Sequence, residues 1–204
     1  MPGTPDWKLQ RRAGISAIAF AMIVSIALWL ALYWLLPPLD GMEDLGARML
    51  VALKCVAVAT LFCFVAGVEA VAHERLQSDA FDPLAGHQSK RLRVNLRYLQ
   101  NTLEQLIVFA VGLFGLAAYL TTGEAMRAVI ATTTVWILSR FAFWIGYHRS
   151  AAMRGLGAPG MAIAMIVLIY VVARVGGDIA GTVGTVIAIA AFLVLEAMLF
   201  LKTR

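Results

Sequence analysis

The stretch GISAIAFAMIVSIALWLALYWLL, residues 14–36, determines the class of this protein. It contains no charged residue, and about 18 or more apolar residues suffice for a helix to cross a hydrocarbon core of about 30 Å. Because lipid offers the backbone no hydrogen-bond partners, such a run is helical. It exceeds the roughly 7–15 apolar residues of a signal peptide, and it ends in aromatic residues and proline where a signal peptide has small residues. We therefore predict a membrane helix that stays in the protein.

The same apolar character extends over the whole chain. Of the 204 residues, 61% are hydrophobic and 14% are charged, and the mean hydropathy is +0.83. Soluble domains have about 45–50% apolar and about 25% charged residues. The fold class that follows is all-α integral membrane. We predict six membrane helices, at about residues 14–36, 45–71, 93–120, 125–147, 160–175 and 179–201.

Basic residues collect on one side of this arrangement. If the N-terminus lies inside, the inner side carries Lys8, Arg11, Arg12, Arg75, Lys90, Arg91, Arg93, Arg97, Arg149, Arg154, Lys202 and Arg204. The outer side has three arginines beside five acidic residues. This asymmetry is typical of the positive-inside rule and predicts that both termini are cytoplasmic. It also explains the net charge of +5 without a nucleic-acid partner, which we do not expect.

Cysteines and histidines do not predict a metal or redox site. Cys55 and Cys63 lie in one apolar run without CxxC spacing. His73, His87 and His148 lack the spacing of metal ligands, and we interpret them as interfacial residues.

Two groups of polar residues interrupt the apolar pattern near the predicted inner face. The first consists of Arg97, Asn101 and Glu104, and the second of Arg140, Phe143 and Tyr147, with Arg154 following. At about 100° per residue, each set of three shares an arc of roughly 60° on its helix. Glu104 and Arg140 should lie at similar depth, about 10 Å from the inner boundary. Because a charge at that depth usually has a partner in the bundle, we predict an ion pair between them.

These residues allow two interpretations. Each could be structural: Arg97 as part of a juxtamembrane basic cluster, Tyr147 as an interface aromatic, and Glu104 with Arg140 as an architectural pair. Taken together, their convergence at one membrane level favours a binding site for a zwitterionic ligand.

The pattern Arg97-x-x-x-Asn101-x-x-Glu104, followed one helix later by Gly146-Tyr147 and Arg154, resembles the MAPEG superfamily, the membrane-associated proteins in eicosanoid and glutathione metabolism. The stretch 94–105 is most similar to bacterial members. The resemblance covers roughly residues 45–175. It implies a four-helix membrane bundle, assembled as a homotrimer, with glutathione bound between subunits as co-substrate and without a metal. The N-terminal and C-terminal helices would be additions to this core.

Residue by residue, the resemblance implies that Arg97, Asn101, Glu104 and Tyr147 bind glutathione and that Arg154 is the catalytic residue that activates the thiol. We also expect Arg140 to bind glutathione, because it belongs to the same converging group of polar residues. It divides the chain into 1–44, a cytoplasmic stub with an added helix; 45–175, the MAPEG-like domain; and 176–204, an added helix. It also implies location in a bacterial inner membrane.

The function expected from this resemblance is a glutathione-dependent transferase or peroxidase that acts on lipophilic electrophiles arriving through membrane lipid. Phe143 and Gln105 stand where some members have tyrosine, which leaves open a non-catalytic protein that binds lipids or partners. A small transporter is a further alternative, although the chain lacks an inverted repeat.

Overall fold

The computed structural model describes residues 7–203; residues 1–6 and Arg204, which belong to the predicted terminal regions, lie outside the described part. Its helices are α1 (Trp7–Leu35), α2 (Leu45–Ala59), α3 (Ala66–Leu76), α4 (Lys90–Tyr119), α5 (Gly123–Arg149) and α6 (Ala158–Lys202). A π-helical segment, Thr60–Val65, joins α2 to α3, and a 3₁₀ helix, Met153–Gly157, precedes α6. Residues 7–203 contain no strand and five helical stretches long and apolar enough to cross a membrane, which confirms the all-α membrane class.

The last of these stretches reverses direction inside α6. Gly181 has φ of 59°, outside the helical range, a conformation that glycine adopts readily. Thr185 Oγ1 then donates a hydrogen bond of 3.1 Å to the carbonyl oxygen of Ala173, twelve residues earlier. In a straight helix those residues would lie about 18 Å apart. The two arms of α6, before and after Gly181, correspond to the fifth and sixth predicted helices, but the break falls a few residues later than predicted.

A side-chain hydrogen bond to a main-chain carbonyl group connects α4 to the helix formed by α2, the π-helical segment and α3. Tyr98, fully buried on α4, donates a hydrogen bond of 3.0 Å from its hydroxyl to the carbonyl oxygen of Cys63. Cys63 lies within the π-helical segment, and such segments disturb the regular backbone hydrogen bonding of a helix. The Tyr98 hydroxyl therefore satisfies a main-chain acceptor in the interior of the bundle.

The core lies between α2 with its π-helical segment, α4, α5 and the first arm of α6. Phe109 and Trp136 are buried and stack with their ring centroids 4.6 Å apart, and Leu113, Val129 and Ala164 belong to the same cluster. α1 packs on the outside of this core, against α5, the 3₁₀ helix and α6.

The ends of the helices alternate as the predicted threading requires. At one end, the Leu39 amide donates to the Gly123 carbonyl at 3.2 Å, and the Tyr119 hydroxyl donates to Asp178 at 2.6 Å. At the other end, the beginning of α4 meets the end of α5, where Trp144 Nε1 donates to Asn95 Oδ1 at 2.9 Å. The beginning of α1 also lies at this second end, beside the 3₁₀ helix.

Candidate functional site

An open cavity of about 630 Å³ lies between α4, the end of α5 and the 3₁₀ helix. Five of the six residues predicted for the site line it, namely Arg97, Asn101, Glu104, Tyr147 and Arg154. The remaining lining residues are Gln100, Gln105, Phe143, Gly155, Gly157 and Ala158. We refer to this space as the Arg154 cavity.

The α4 wall of the Arg154 cavity is a chain of polar side chains. Arg97 Nη1 donates to Gln100 Oε1 at 3.4 Å, and Gln100 Nε2 donates to Glu104 Oε1 at 3.1 Å. All three side chains are exposed in the single chain. Gln100 thus connects a cation and an anion on one helix face and orients both. Its spacing, three residues after Arg97 and four before Glu104, is the sequence signal that could have identified it.

A second polar contact lies deeper on the same helix. Gln105 Nε2 donates to Asn101 Oδ1 at 3.1 Å. Gln105 Oε1 is buried and has no hydrogen-bond partner in the described part of the chain. A buried amide oxygen without a partner costs about 1–3 kcal/mol.

The opposite wall of the cavity depends on close backbone packing. A β-carbon on Gly146 would lie 2.3 Å from the Met153 carbonyl oxygen, and one on Gly157 would lie 2.2 Å from Cβ of Phe143. Both positions therefore require glycine, and the chain after α5 folds tightly back onto that helix. In this turn Arg154 comes to lie beside the aromatic ring of Tyr147, with Cζ 5.9 Å from the ring centroid.

The predicted ion pair between Glu104 and Arg140 is wrong for the single chain. Arg140 is fully buried, does not line the Arg154 cavity and, within residues 7–203, has no carboxylate partner. Its Nη2 donates to Thr102 Oγ1 at 3.1 Å. Glu104 and Arg140 do lie at similar depth along their helices. However, Glu104 points about 200° around α4 from Thr102, the residue that Arg140 contacts. Glu104 therefore faces outward while Arg140 faces the interior.

Aromatic rings surround the buried guanidinium. Arg140 Cζ lies 4.6 Å from the Phe143 ring centroid and 5.5 Å from that of Tyr98. Its Nε and Nη1 have no hydrogen-bond partner within the described chain. By contrast, the buried Arg48 donates to the carbonyl oxygens of Ala117, Met42 and Glu43. Arg140 is thus stabilised by cation–π contacts together with its one hydrogen bond to Thr102.

The series of aromatic contacts that begins at Arg140 extends to the Arg154 cavity. Phe143 and Tyr147 have ring centroids 5.6 Å apart, so the order across the site is Arg140, Phe143, Tyr147 and Arg154. A guanidinium lies at each end of an aromatic pair. Arg140 can therefore influence the cavity only through its electric field, because Phe143 stands between.

A second polar cavity of about 550 Å³ lies between α3, the beginning of α4 and the end of α5. In it, Asn95 Oδ1 is 2.9 Å from both Trp144 Nε1 and His148 Nε2, and Arg91 forms an ion pair of 3.1 Å with Glu74. The sequence interpretation treated His148 as an interfacial residue and did not identify this cavity. Its interactions join three helix ends and place α4 against α5.

The Arg154 cavity combines the spacing of Arg97, Asn101 and Glu104 with Tyr147 and Arg154 on the next helix and turn. The sequence model of the MAPEG family matches residues 49–177. This chain belongs to the MAPEG family. MAPEG proteins are membrane proteins of glutathione-dependent transfer, peroxide reduction and lipid metabolism. All residues that line the Arg154 cavity lie within the match, whereas α1 and the second arm of α6 lie outside it. Comparisons with curated proteins and with solved structures gave no match.

Proposed function

We propose that this MAPEG protein is a glutathione-dependent transferase or peroxidase that acts on lipophilic electrophiles. The observation that supports this most directly is the convergence of Arg97, Glu104 and Arg154 on one cavity. Glutathione carries two carboxylates, an ammonium group and a thiol. Arg97 provides a cation for a carboxylate, Glu104 an anion for the ammonium group, and Arg154 a cation for the sulfur.

The remaining polar residues complete this assignment. Asn101 and Tyr147 line the cavity between the charged groups and can donate hydrogen bonds to the peptide. Arg140 was predicted to bind glutathione, but we propose that it acts from behind Phe143 without contact.

Arg154 would act as an electrostatic stabiliser of the thiolate. A free thiol has a pKa near 8.5, and a neighbouring arginine lowers it. Each pKa unit corresponds to about 1.4 kcal/mol. Arginine does not release its own proton in this range, so it supplies charge only. In transfer, the thiolate forms a bond from sulfur to carbon, and the leaving group of a halogenated electrophile departs with the electron pair. With an unsaturated aldehyde, the electrons of the C=C bond shift toward the carbonyl oxygen instead, and the resulting enolate takes up a proton at carbon.

Reduction of a peroxide would start from the same thiolate. The sulfur attacks the terminal peroxide oxygen, the O–O bond breaks, and the alkoxide takes up a proton to become an alcohol. The resulting sulfenic acid condenses with a second glutathione to give the disulfide and water. Both reactions need the thiolate, and so both depend on Arg154.

We further propose a homotrimer with glutathione between subunits, in a bacterial inner membrane with cytoplasmic termini. Family membership supports the trimer. The exposure of Arg97 and Glu104 in the single chain also supports it, because a neighbouring copy would cover that side of the cavity. The distribution of basic residues supports the orientation. The division into residues 1–44, 45–175 and 176–204 remains part of this proposal.

Calorimetry with glutathione in detergent, followed by turnover of a chlorinated aromatic electrophile, tests the function. We expect saturable binding and release of chloride. Absence of binding would contradict the proposal. Binding without turnover of either electrophiles or peroxides would favour a second candidate, a non-catalytic lipid-binding protein, which Phe143 supports because it brings no hydroxyl to the cavity.

A further inference from the structure

A second, apolar groove of about 500 Å³ lies beneath α1. Its walls are formed by α1 together with α4, α5 and the first arm of α6. Of its sixteen lining side chains, only Ser25, Trp29, Thr132 and Tyr170 contain a polar atom. Trp29 Nε1 donates to Thr132 Oγ1 at 3.1 Å, so these two groups satisfy each other. We refer to this space as the α1 groove; its surface is largely hydrocarbon.

The α1 groove is elongated along the helices. Its lining residues extend along α1 from Met22 to Leu30 and along α6 from Pro159 to Tyr170. At 1.5 Å per residue these distances are about 12 Å and about 16 Å. A long apolar space in membrane-spanning helices suits an unbranched hydrocarbon chain better than a compact ring system.

One end of the α1 groove lies next to the Arg154 cavity. Ile18 on α1 contacts the 3₁₀ helix, where a β-carbon on Gly155 would lie 3.0 Å from Ile18 Cγ1. Met22, one turn further along α1, already lines the groove. On α6, Ala158 lines the cavity and Pro159 lines the groove. The segment Gly155 to Pro159 therefore borders both the polar cavity and the apolar groove.

We propose that the α1 groove binds the hydrocarbon chain of the lipophilic substrate and thereby directs its reactive end to the Arg154 cavity. The substrate class is an electrophile on a single long alkyl chain. This inference rests on the proposed function. α1 lies outside the residues that match the family, 49–177, so one wall of the groove is formed by a helix outside the matched core.

The groove would contribute orientation more than affinity. A long chain is already dissolved in lipid, and lipid tails are as apolar as the groove walls, so little hydrophobic free energy is gained on entry. Holding the reactive carbon near the thiolate, in contrast, raises the rate of the chemical step. The expected signature is selectivity for chain length in kcat/KM.

The kinetic test compares 2-alkenals with the same reacting group and either a short or a long chain. We expect Ala162→Phe, which narrows the groove, to lower kcat/KM for the long-chain aldehyde on the order of tenfold and to leave the short-chain value unchanged. Ile166→Trp, at an exposed position in the same groove, should act in the same direction if Ala162→Phe does not fold. Ala57→Phe, an exposed position on α2 that does not line the groove, is the matched control.

A binding test that does not need turnover uses a fatty acid with a photoactivatable diazirine in its chain. We expect cross-links in α1 and α6 at the groove, and competition by the long-chain aldehyde. If the fatty acid labels the groove and the long-chain aldehyde competes with it, but the protein turns over neither aldehyde, the result supports substrate binding in the α1 groove. The same result contradicts the proposed enzymatic function. If turnover does not depend on chain length and the label is spread over all lipid-facing helices, the α1 groove is not the binding site of the substrate chain. The proposed enzymatic function is unaffected by that result. If the fatty acid labels the groove but the aldehyde does not displace it, the groove binds a bilayer lipid. That result would also contradict the proposal that the groove binds the substrate.

Discussion

Arg140 and Thr102 form a hydrogen bond of 3.1 Å between the centres of α5 and α4. Thr102 Oγ1 is the only acceptor that the guanidinium reaches within residues 7–203, and both side chains are fully buried. The contact is therefore one of those that fix the rotation of α4 relative to α5, and two predictions depend on it.

The first prediction concerns Thr102. Thr102→Val keeps the shape of the side chain and removes the acceptor, which leaves Arg140 with no hydrogen bond. We expect a loss of about 1–3 kcal/mol in unfolding free energy, or more because the donor is charged. Thr134→Val is the matched control, since the Thr134 hydroxyl donates only to the Ile130 carbonyl of its own helix. Thermal unfolding in detergent should show a lower midpoint for Thr102→Val than for Thr134→Val; equal midpoints would contradict the prediction.

The second prediction concerns the relation between Glu104 and Arg140. Because Glu104 faces outward and hydrogen-bonds Gln100, Glu104→Gln and Arg140→Met should change stability independently. Additivity within about 0.5 kcal/mol is expected for residues without a shared partner. A double-mutant cycle measures this directly. A coupling energy well above that limit would restore the ion pair, either within one chain or between subunits.

The third prediction concerns Arg154. Arg154→Ala should raise the pKa of the bound glutathione thiol and lower turnover on the order of 10²-fold, equivalent to about 2.7 kcal/mol. Arg154→Lys should restore activity only in part, because a point charge lacks the planar fork of guanidinium. Arg149→Ala removes an exposed arginine at the end of α5 and is the control.

The readout for Arg154 is the pH dependence of thiolate absorbance with glutathione bound. Wild type and Arg149→Ala should titrate together, and Arg154→Ala should titrate at higher pH. If Arg154→Ala binds glutathione equally well and titrates with the wild type, then Arg154 does not activate the thiol.

The fourth prediction concerns the contact between α1 and the turn that carries Arg154. A β-carbon on Gly155 would lie 2.9 Å from the Gly14 carbonyl oxygen, whereas one on Gly14 would lie 3.8 Å from the Ala152 carbonyl oxygen. We expect Gly155→Ala to displace the turn and to raise the pKa of the bound thiol. Gly14→Ala should be tolerated and could add up to about 1 kcal/mol of helix stability.

Measurements on the two glycine variants distinguish a displaced Arg154 turn from a general loss of folding. Both should unfold cooperatively in detergent, but only Gly155→Ala should shift the thiolate titration. The prediction fails if Gly155→Ala retains both the wild-type titration and the wild-type turnover, because α1 would then have no effect on Arg154.

The predictions from sequence were most successful where spacing along one helix is sufficient. Arg97, Asn101 and Glu104 share a face because a helix turns about 100° per residue, and the structure places all three on one cavity wall. Tyr147 and Arg154 were identified by their order after Gly146, and they line the same cavity. Gly155 and Gly157 were missed, because only the packing of the turn shows that their positions exclude a side chain.

Arg140 shows the limit of this reasoning. Its depth in the membrane follows from counting residues at 1.5 Å each, and on that basis Glu104 was a suitable partner. Counting along two separate helices does not reveal how they are rotated about their own axes. That rotation results from packing, here of Tyr98, Thr102 and Phe143 around the guanidinium.

Sequence alone determined the membrane class, the approximate helices and the polar arc on α4, because hydropathy and helical periodicity are local properties of the chain. Tertiary structure alone decided which charges meet, where α6 reverses at Gly181, and that α1 lies against Gly155 and covers an apolar groove. The physical reason is that lipid satisfies the apolar surface of every helix about equally well. The choice of neighbour is therefore left to close backbone contacts and a few buried hydrogen bonds, which form only when helices distant in sequence pack together.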